Sequence, residues 1–80
     1  MDLVKLTEYL VKSLVKDPDS VSVKQFDDED GITIEVIVSD DDMGSVIGRS
    51  GVNANAIRTL VQASAYINSL PKVKINIDSI

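Results

Sequence analysis

The 80-residue sequence predicts a two-layer α+β domain with helices on one face of a three-stranded mixed sheet. Two long apolar stretches have the period of a helix, and three shorter stretches are β-branched or alternate apolar with polar residues. That combination is typical of this fold class. The hydrophobic fraction of 44% indicates a folded chain, and the length leaves room for only one domain, residues 1–80.

The first half of the chain predicts one helix followed by a hairpin. A helix is expected over residues 2–16 because apolar side chains recur at spacings of three and four. These are Leu3, Leu6, Leu10 and Leu14, with Val4, Val11 and Val15 widening the stripe. The segment 17–20 contains Pro18 and ends this helix. Strands are predicted over residues 21–26 and 32–38, joined by a polar loop.

The second half predicts two helices and a closing strand. Asp40, Asp41 and Asp42 are expected to cap a short helix over Met43–Ile47. A long helix follows over residues 52–70, and its predicted core face consists of Ala56, Leu60, Ala63, Ile67 and Leu70. The last strand alternates Val73, Ile75 and Ile77 with polar residues. Because two helices separate the second strand from the last, those strands can pair in parallel.

Charge and composition restrict the possible functions. The net charge is −5, but seven of the thirteen acidic residues lie in the clusters 27–30 and 40–42, and none lies between Met43 and Ile77. Arg49 and Arg58 fall in this acid-free stretch. Any anion-binding face is therefore predicted to be local.

The residue types give little support for catalysis or metal binding. The chain has no cysteine and no histidine, which excludes a disulfide framework and the commonest general base. The acidic clusters lack the spacing of a calcium loop, and no P-loop or dinucleotide motif is present. We therefore predict no enzyme, no metal and no cofactor. Charges interrupt the N-terminal apolar segment, so we expect a cytoplasmic protein without a membrane span.

The turn Gly48-Arg49-Ser50-Gly51 between two predicted helices is the most informative motif. Glycines permit a sharp bend and a close approach to a ligand, and the N-terminus of the next helix and Arg49 offer donors to a phosphate. KH domains use such a turn to clamp single-stranded RNA. The predicted RNA site comprises Val46, Ile47, Gly48, Arg49, Ser50, Gly51, Ala54 and Ile57. A purely structural bend is the alternative.

In its order of elements the chain resembles type II KH domains. The stretches DMGSVIGRSG (residues 42–51) and AIRTLV (residues 56–61) are similar to the core of KhpA, a family of small bacterial single-KH RNA-binding proteins. The resemblance implies an RNA chaperone-like regulator of cell shape that acts as a homodimer or with a larger KH-containing partner of the KhpB type, also called Jag or EloR. Where the family commonly has basic residues, this chain has Ser45 and Val52.

The long helix carries a second apolar stripe, which is the candidate dimer interface. The stripe consists of Ala54, Ile57, Val61 and Ala65, and a thin domain would leave it exposed. Together with Arg58, these residues form the predicted interface. The alternative is that Ile57 and Val61 pack under the sheet or the first helix. A protein-interaction module with a KH fold is accordingly the second functional hypothesis. Tyr9 and Tyr66 are expected at packing edges, not as stacking platforms.

Overall fold

The structure is a computed structural model that describes residues 2–80. Its helices are α1 (Leu3–Lys12), α2 (Met43–Ile47) and α3 (Val52–Ile67), and its strands are β1 (Ser22–Asp28), β2 (Gly31–Val38) and β3 (Val73–Ser79). Short 3-10 turns lie at Pro18–Ser20, Asp40–Asp42 and Arg49–Gly51. The predicted order of helix, strand, strand, helix, helix and strand is confirmed.

The sheet has the order β1-β2-β3, with β2 in the centre. β1 and β2 are antiparallel, and their pairing extends to Asp28 and Gly31, so the hairpin loop is shorter than predicted. β2 and β3 are parallel, which requires the long connection through α2 and α3. The mixed three-stranded sheet is therefore confirmed.

The helices pack on one face of this sheet. β2 places its alternate residues Ile32, Ile34, Val36 and Val38 on that face, and all four are buried. Leu3 and Val11 of α1 and Ile57 and Val61 of α3 complete the same core. Full burial of each such side chain stabilises the fold by about 1.5–3 kcal/mol. No helix within residues 2–80 is long and apolar enough to cross a membrane.

α1 ends four residues earlier than the leucine pattern predicts. Asp2 caps its start, where the carboxylate accepts from the N–H groups of Val4 at 3.0 Å and Lys5 at 3.2 Å. Beyond Lys12, the N–H groups of Lys16 and Asp17 donate to the buried carboxylate of Asp42, at 3.0 and 3.1 Å. The prediction that Asp42 caps α2 is therefore wrong, because its carboxylate binds the chain that leaves α1.

α3 ends at Ile67, three residues before its predicted end. Ser69 adopts a left-handed conformation with φ 57°, and the N–H of Leu70 donates to the carbonyl of Ala65 at 2.9 Å. The N–H of Ser69 donates to the carbonyl of Tyr66 at 3.1 Å, which completes a Schellman motif. This motif reverses the chain before Pro71 is reached.

The buried and the exposed apolar stripes of α3 are the reverse of the prediction. Leu60 is 52% exposed and Ile67 is 78% exposed, so the predicted core face lies at the surface. The predicted dimer interface is wrong for its apolar members because the monomer core buries them, and these are Ala54, Ile57, Val61 and Ala65. Arg58, its fifth member, is half-buried beside β3. Both stripes are apolar, and helical periodicity alone does not determine which one faces the sheet.

Candidate nucleic-acid interface

The turn between α2 and α3 has a backbone that depends on glycine. Gly48 has φ 77° and ψ 173°, a combination essentially restricted to this residue type. A Cβ at Gly48 would also lie 2.7 Å from the side chain of Asn53. Ser50 and Gly51 are both left-handed, with φ 55° and 78°. Three positive φ values in four residues fold the chain back tightly enough to start α3 directly after α2.

Asn53 braces this turn, and sequence reasoning missed it. Its side-chain Nδ2 donates to the carbonyl oxygen of Ser45 at 2.8 Å, so the first turn of α3 is tied to α2. The same side chain fills the space beside Gly48 that a Cβ would need. The only signal in the sequence is a polar amide two positions after the second glycine.

The tip of the turn presents donors to the solvent. Arg49 and Ser50 are exposed, while Gly48 and Gly51 are half-buried. The residue before α3 is Gly51, which has no side chain that could accept from the first N–H groups of the helix. The N–H of Val52 donates to the carbonyl of Arg49, so the N–H groups that follow it, together with the helix dipole, favour an anion at this end. Since residues 43–77 contain no carboxylate, the acidic character of the chain lies elsewhere in the sequence.

Three of the predicted groove residues are in the core instead. Val46, Ala54 and Ile57 are exposed by 0%, 2% and 3%, so they support the turn from below. They do not line an open groove, and this part of the prediction is corrected. Ile47 alone among the predicted apolar residues is half-exposed beside the turn. Of the predicted site residues, those accessible to a ligand are thus Ile47 and the turn itself.

A polar path runs from the turn along the contact between α3 and β3. Arg58 donates from Nε to the carbonyl of Ile75 at 3.3 Å and from Nη1 to Oδ1 of Asn55 at 3.4 Å. One helical turn further, Nε2 of Gln62 donates to the carbonyl of Val73 at 3.1 Å. β3 pairs with β2 on one side only, so its outer edge retains backbone groups that side chains or a ligand can bind.

A Gly-x-x-Gly turn between two helices, packed on a three-stranded mixed sheet, defines the KH class of nucleic-acid-binding domains. The family model described as "KhpA/KhpB, KH domain" matches residues 4–77. The chain therefore belongs to the KhpA/KhpB KH-domain family, and the predicted resemblance is confirmed. Residues 2–80 contain no group of three His, Cys, Asp or Glu side chains that could hold a metal ion.

Curated relatives cover most of the chain. The RNA-binding protein KhpA of Clostridium perfringens is 48% identical over 61 residues, which is 76% of this chain and 81% of the relative. The protein of the same name from Mycobacterium tuberculosis is 48% identical over 59 residues, or 74% of each chain. These relatives are named as RNA-binding proteins, and the prediction that the chain is not an enzyme is confirmed by this family.

Solved structures of Era share the fold. The chain superposes on a crystal structure of Aquifex aeolicus Era bound to GDP and aluminium fluoride with a TM-score of 0.74 and 18% identity. A structure of Era with MgGDPNP and nucleotides 1506–1542 of 16S ribosomal RNA gives the same values. Each superposition covers 98% of this chain but only 30% of Era. At this identity the likeness shows the KH-like fold alone.

Proposed function

We propose that this chain binds single-stranded RNA by clamping the RNA backbone with the turn Gly48–Gly51. The observation that carries the proposal is the glycine-dependent turn Gly48–Gly51, which leads directly into α3 and leaves the N-terminus of that helix without a side-chain cap. The name of the KhpA relatives, RNA-binding proteins, supports it. The cysteine-free composition and this function fit a cytoplasmic, chaperone-like regulator.

The chemistry of the clamp follows from its donors. Phosphate oxygens accept from the N–H groups that follow Val52 in the first turn of α3 and from the guanidinium of Arg49, while the hydroxyl of Ser50 adds a neutral donor. Because Gly48 and Gly51 have no side chains, the RNA backbone can approach the protein backbone closely. The bases then lie beside the turn, where Ile47 at the end of α2 offers an apolar contact, and continue along α3 and β3.

A double substitution, Arg49→Asp with Ser50→Asp, tests the clamp. Two carboxylates at the helix N-terminus repel phosphate, so the affinity for a labelled single-stranded RNA, measured by fluorescence anisotropy, should fall at least about tenfold. Aspartate tolerates the left-handed conformation of Ser50, so the circular dichroism spectrum should not change.

The matched control is Lys24→Asp with Gln25→Asp, which makes the same change in net charge on β1. Lys24 and Gln25 are both exposed. This control should keep most of the RNA affinity and should show a salt dependence close to that of the wild type. Equal RNA affinity for the turn variant and the wild type would contradict the clamp.

A second function is favoured by the exposed apolar stripe of α3. This stripe borders a groove of about 350 Å³ between α1 and α3, lined by Leu6, Leu60, Ala63, Ser64, Ile67 and Asn68. Such a patch on a small domain marks a protein contact. We propose that it binds a second KH domain, either another copy of this chain or a larger KhpB-like protein, in place of the buried stripe that the sequence suggested.

A further inference from the structure

Tyr66 lies in a position that its predicted role as a packing residue does not explain. Its side chain is 86% exposed, more than any other large hydrophobic side chain within residues 2–80. It follows Arg58 and Gln62 at spacings of four residues, so all three lie along one side of α3. That side faces the outer edge of β3, as the hydrogen bonds of Arg58 and Gln62 establish.

An open groove of about 440 Å³ lies at this end of α3. The residues that line it include Tyr66, Gln62, Leu70, Pro71, Lys72 and Val73. The groove begins where Gln62 contacts the carbonyl of Val73, so it continues the polar path that leaves the Gly48–Gly51 turn. With a rise of 1.5 Å per residue, Tyr66 lies about 22 Å along the helix axis from Gly51.

The lining of this groove matches the chemistry of one nucleotide. An exposed aromatic ring offers a face on which any base can stack, and such stacking tolerates all four bases. Lys72 supplies a cation for the attached phosphate, and Leu70 and Pro71 offer apolar contacts to the base or sugar. A neighbouring groove beyond Leu70 and Pro71 is lined by Asp2, Asp27 and Asp28. Its carboxylates repel phosphate, so the path ends at Lys72.

We infer that the groove between the C-terminal end of α3 and the start of β3 is a second RNA subsite, in which Tyr66 stacks on an unpaired base of the strand held at the turn. This inference rests on the proposed RNA clamp and extends it. The subsite adds affinity only for an RNA long enough to reach it, whereas the clamp acts on short and long RNAs alike.

The test compares labelled single-stranded RNAs of about four and about eight nucleotides by anisotropy. The wild type should bind the longer RNA at least about fivefold more tightly, which is the gain in affinity expected from one stacked base. Tyr66→Ala should lose this gain while its affinity for the short RNA stays unchanged, and Tyr66→Phe should keep it. Lys72→Gln should make the slope of log K against log salt less negative by about 0.7, and only with the longer RNA.

Tyr9→Ala is the matched control, because Tyr9 is also an exposed aromatic residue, at 72%, but lies on α1. It should bind both RNAs as the wild type does. If Tyr66→Ala retains the gain with length, or if Tyr9→Ala loses as much, the subsite is wrong while the clamp stands. If the wild type binds neither RNA, the proposed clamp fails, and the subsite fails with it.

Discussion

Val52 is the residue at which a single added charge should change RNA affinity most directly. It follows the second glycine of the turn, begins α3 and is 59% exposed. A lysine there would place a cation beside the N–H groups proposed to hold phosphate, without altering the core. No acidic residue lies between Met43 and Ile77 along the sequence.

We expect Val52→Lys to increase the affinity for single-stranded RNA and to steepen its salt dependence. One additional phosphate contact makes the slope of log K against log salt more negative by about 0.7. Anisotropy titrations over a range of salt concentrations measure both quantities. Val52→Gln, a long but uncharged side chain at the same position, is the control and should leave the slope unchanged. A steeper slope in the glutamine variant would argue against a phosphate contact.

The turn itself was largely predictable from its residues, but the hydrogen bond by which Asn53 stabilises it was not. Two glycines with Arg49 between two helical patterns indicate an anion-binding bend, because glycine permits both the conformation of Gly48 and the close approach of a ligand. The contact of Asn53 with Ser45 depends on how α2 and α3 meet in space. An asparagine in the first turn of a helix has many possible partners, and periodicity does not select among them.

At the scale of elements, Asp42 joins the end of α1 to the start of α2. Asp42 is 3% exposed, and its carboxylate accepts from the N–H groups of Lys16 and Asp17 and from the hydroxyl of Ser39. The hydrogen bond from Lys16 is the largest influence on its pKa, and with the other donors it outweighs burial and lowers that pKa. The ionised carboxylate is thus the form that the fold stabilises.

We expect Asp42→Asn to lower the free energy of unfolding at neutral pH. A pKa that is lower in the folded state than in the unfolded state stabilises the fold fully above the unfolded value of about 4. This stabilisation is lost as the pH falls through the folded value. Urea unfolding should therefore show a difference between wild type and variant that is constant near pH 7 and shrinks below about pH 4.

Asp40→Asn is the matched control, since Asp40 is exposed and belongs to the same acidic cluster. It should leave the stability at neutral pH nearly unchanged. Equal unfolding curves for Asp42→Asn and the wild type at neutral pH would show that the carboxylate does not hold these two elements together.

α3 combines three surfaces with separate roles. Its buried stripe packs on the sheet, its β3 side carries Arg58, Gln62 and Tyr66, and its outer stripe carries Leu60 and Ile67. One helix can therefore serve the core, a proposed RNA path and a proposed protein contact together. Its sixteen residues are enough for this because each surface needs only one residue per turn.

At the scale of the whole molecule, the outer stripe predicts self-association or pairing with a second KH domain. We expect Leu60→Lys to weaken the assembly at least about tenfold, because an unpaired charge would be buried in the interface. Sedimentation velocity over a range of concentrations measures this change. The fold should remain intact since Leu60 is already 52% exposed.

Thr59→Lys adds the same charge at the neighbouring exposed position and should leave the assembly unchanged. RNA binding by isolated Leu60→Lys monomers would further separate the two proposed functions. An identical mass for wild type, Leu60→Lys and Thr59→Lys at all concentrations would exclude this stripe as an interface between copies of the chain.

The sequence by itself determined the order of elements, the mixed sheet and the Gly48–Gly51 turn, because periodicity, glycines and connection length are local properties. Only the tertiary structure decided which stripe of α3 is buried, that Asp42 binds the end of α1, and that Tyr66 is exposed. Each of these depends on which surfaces meet across the chain. Two apolar stripes have nearly equal hydrophobic driving force, so the geometry of the sheet and α1 selects between them.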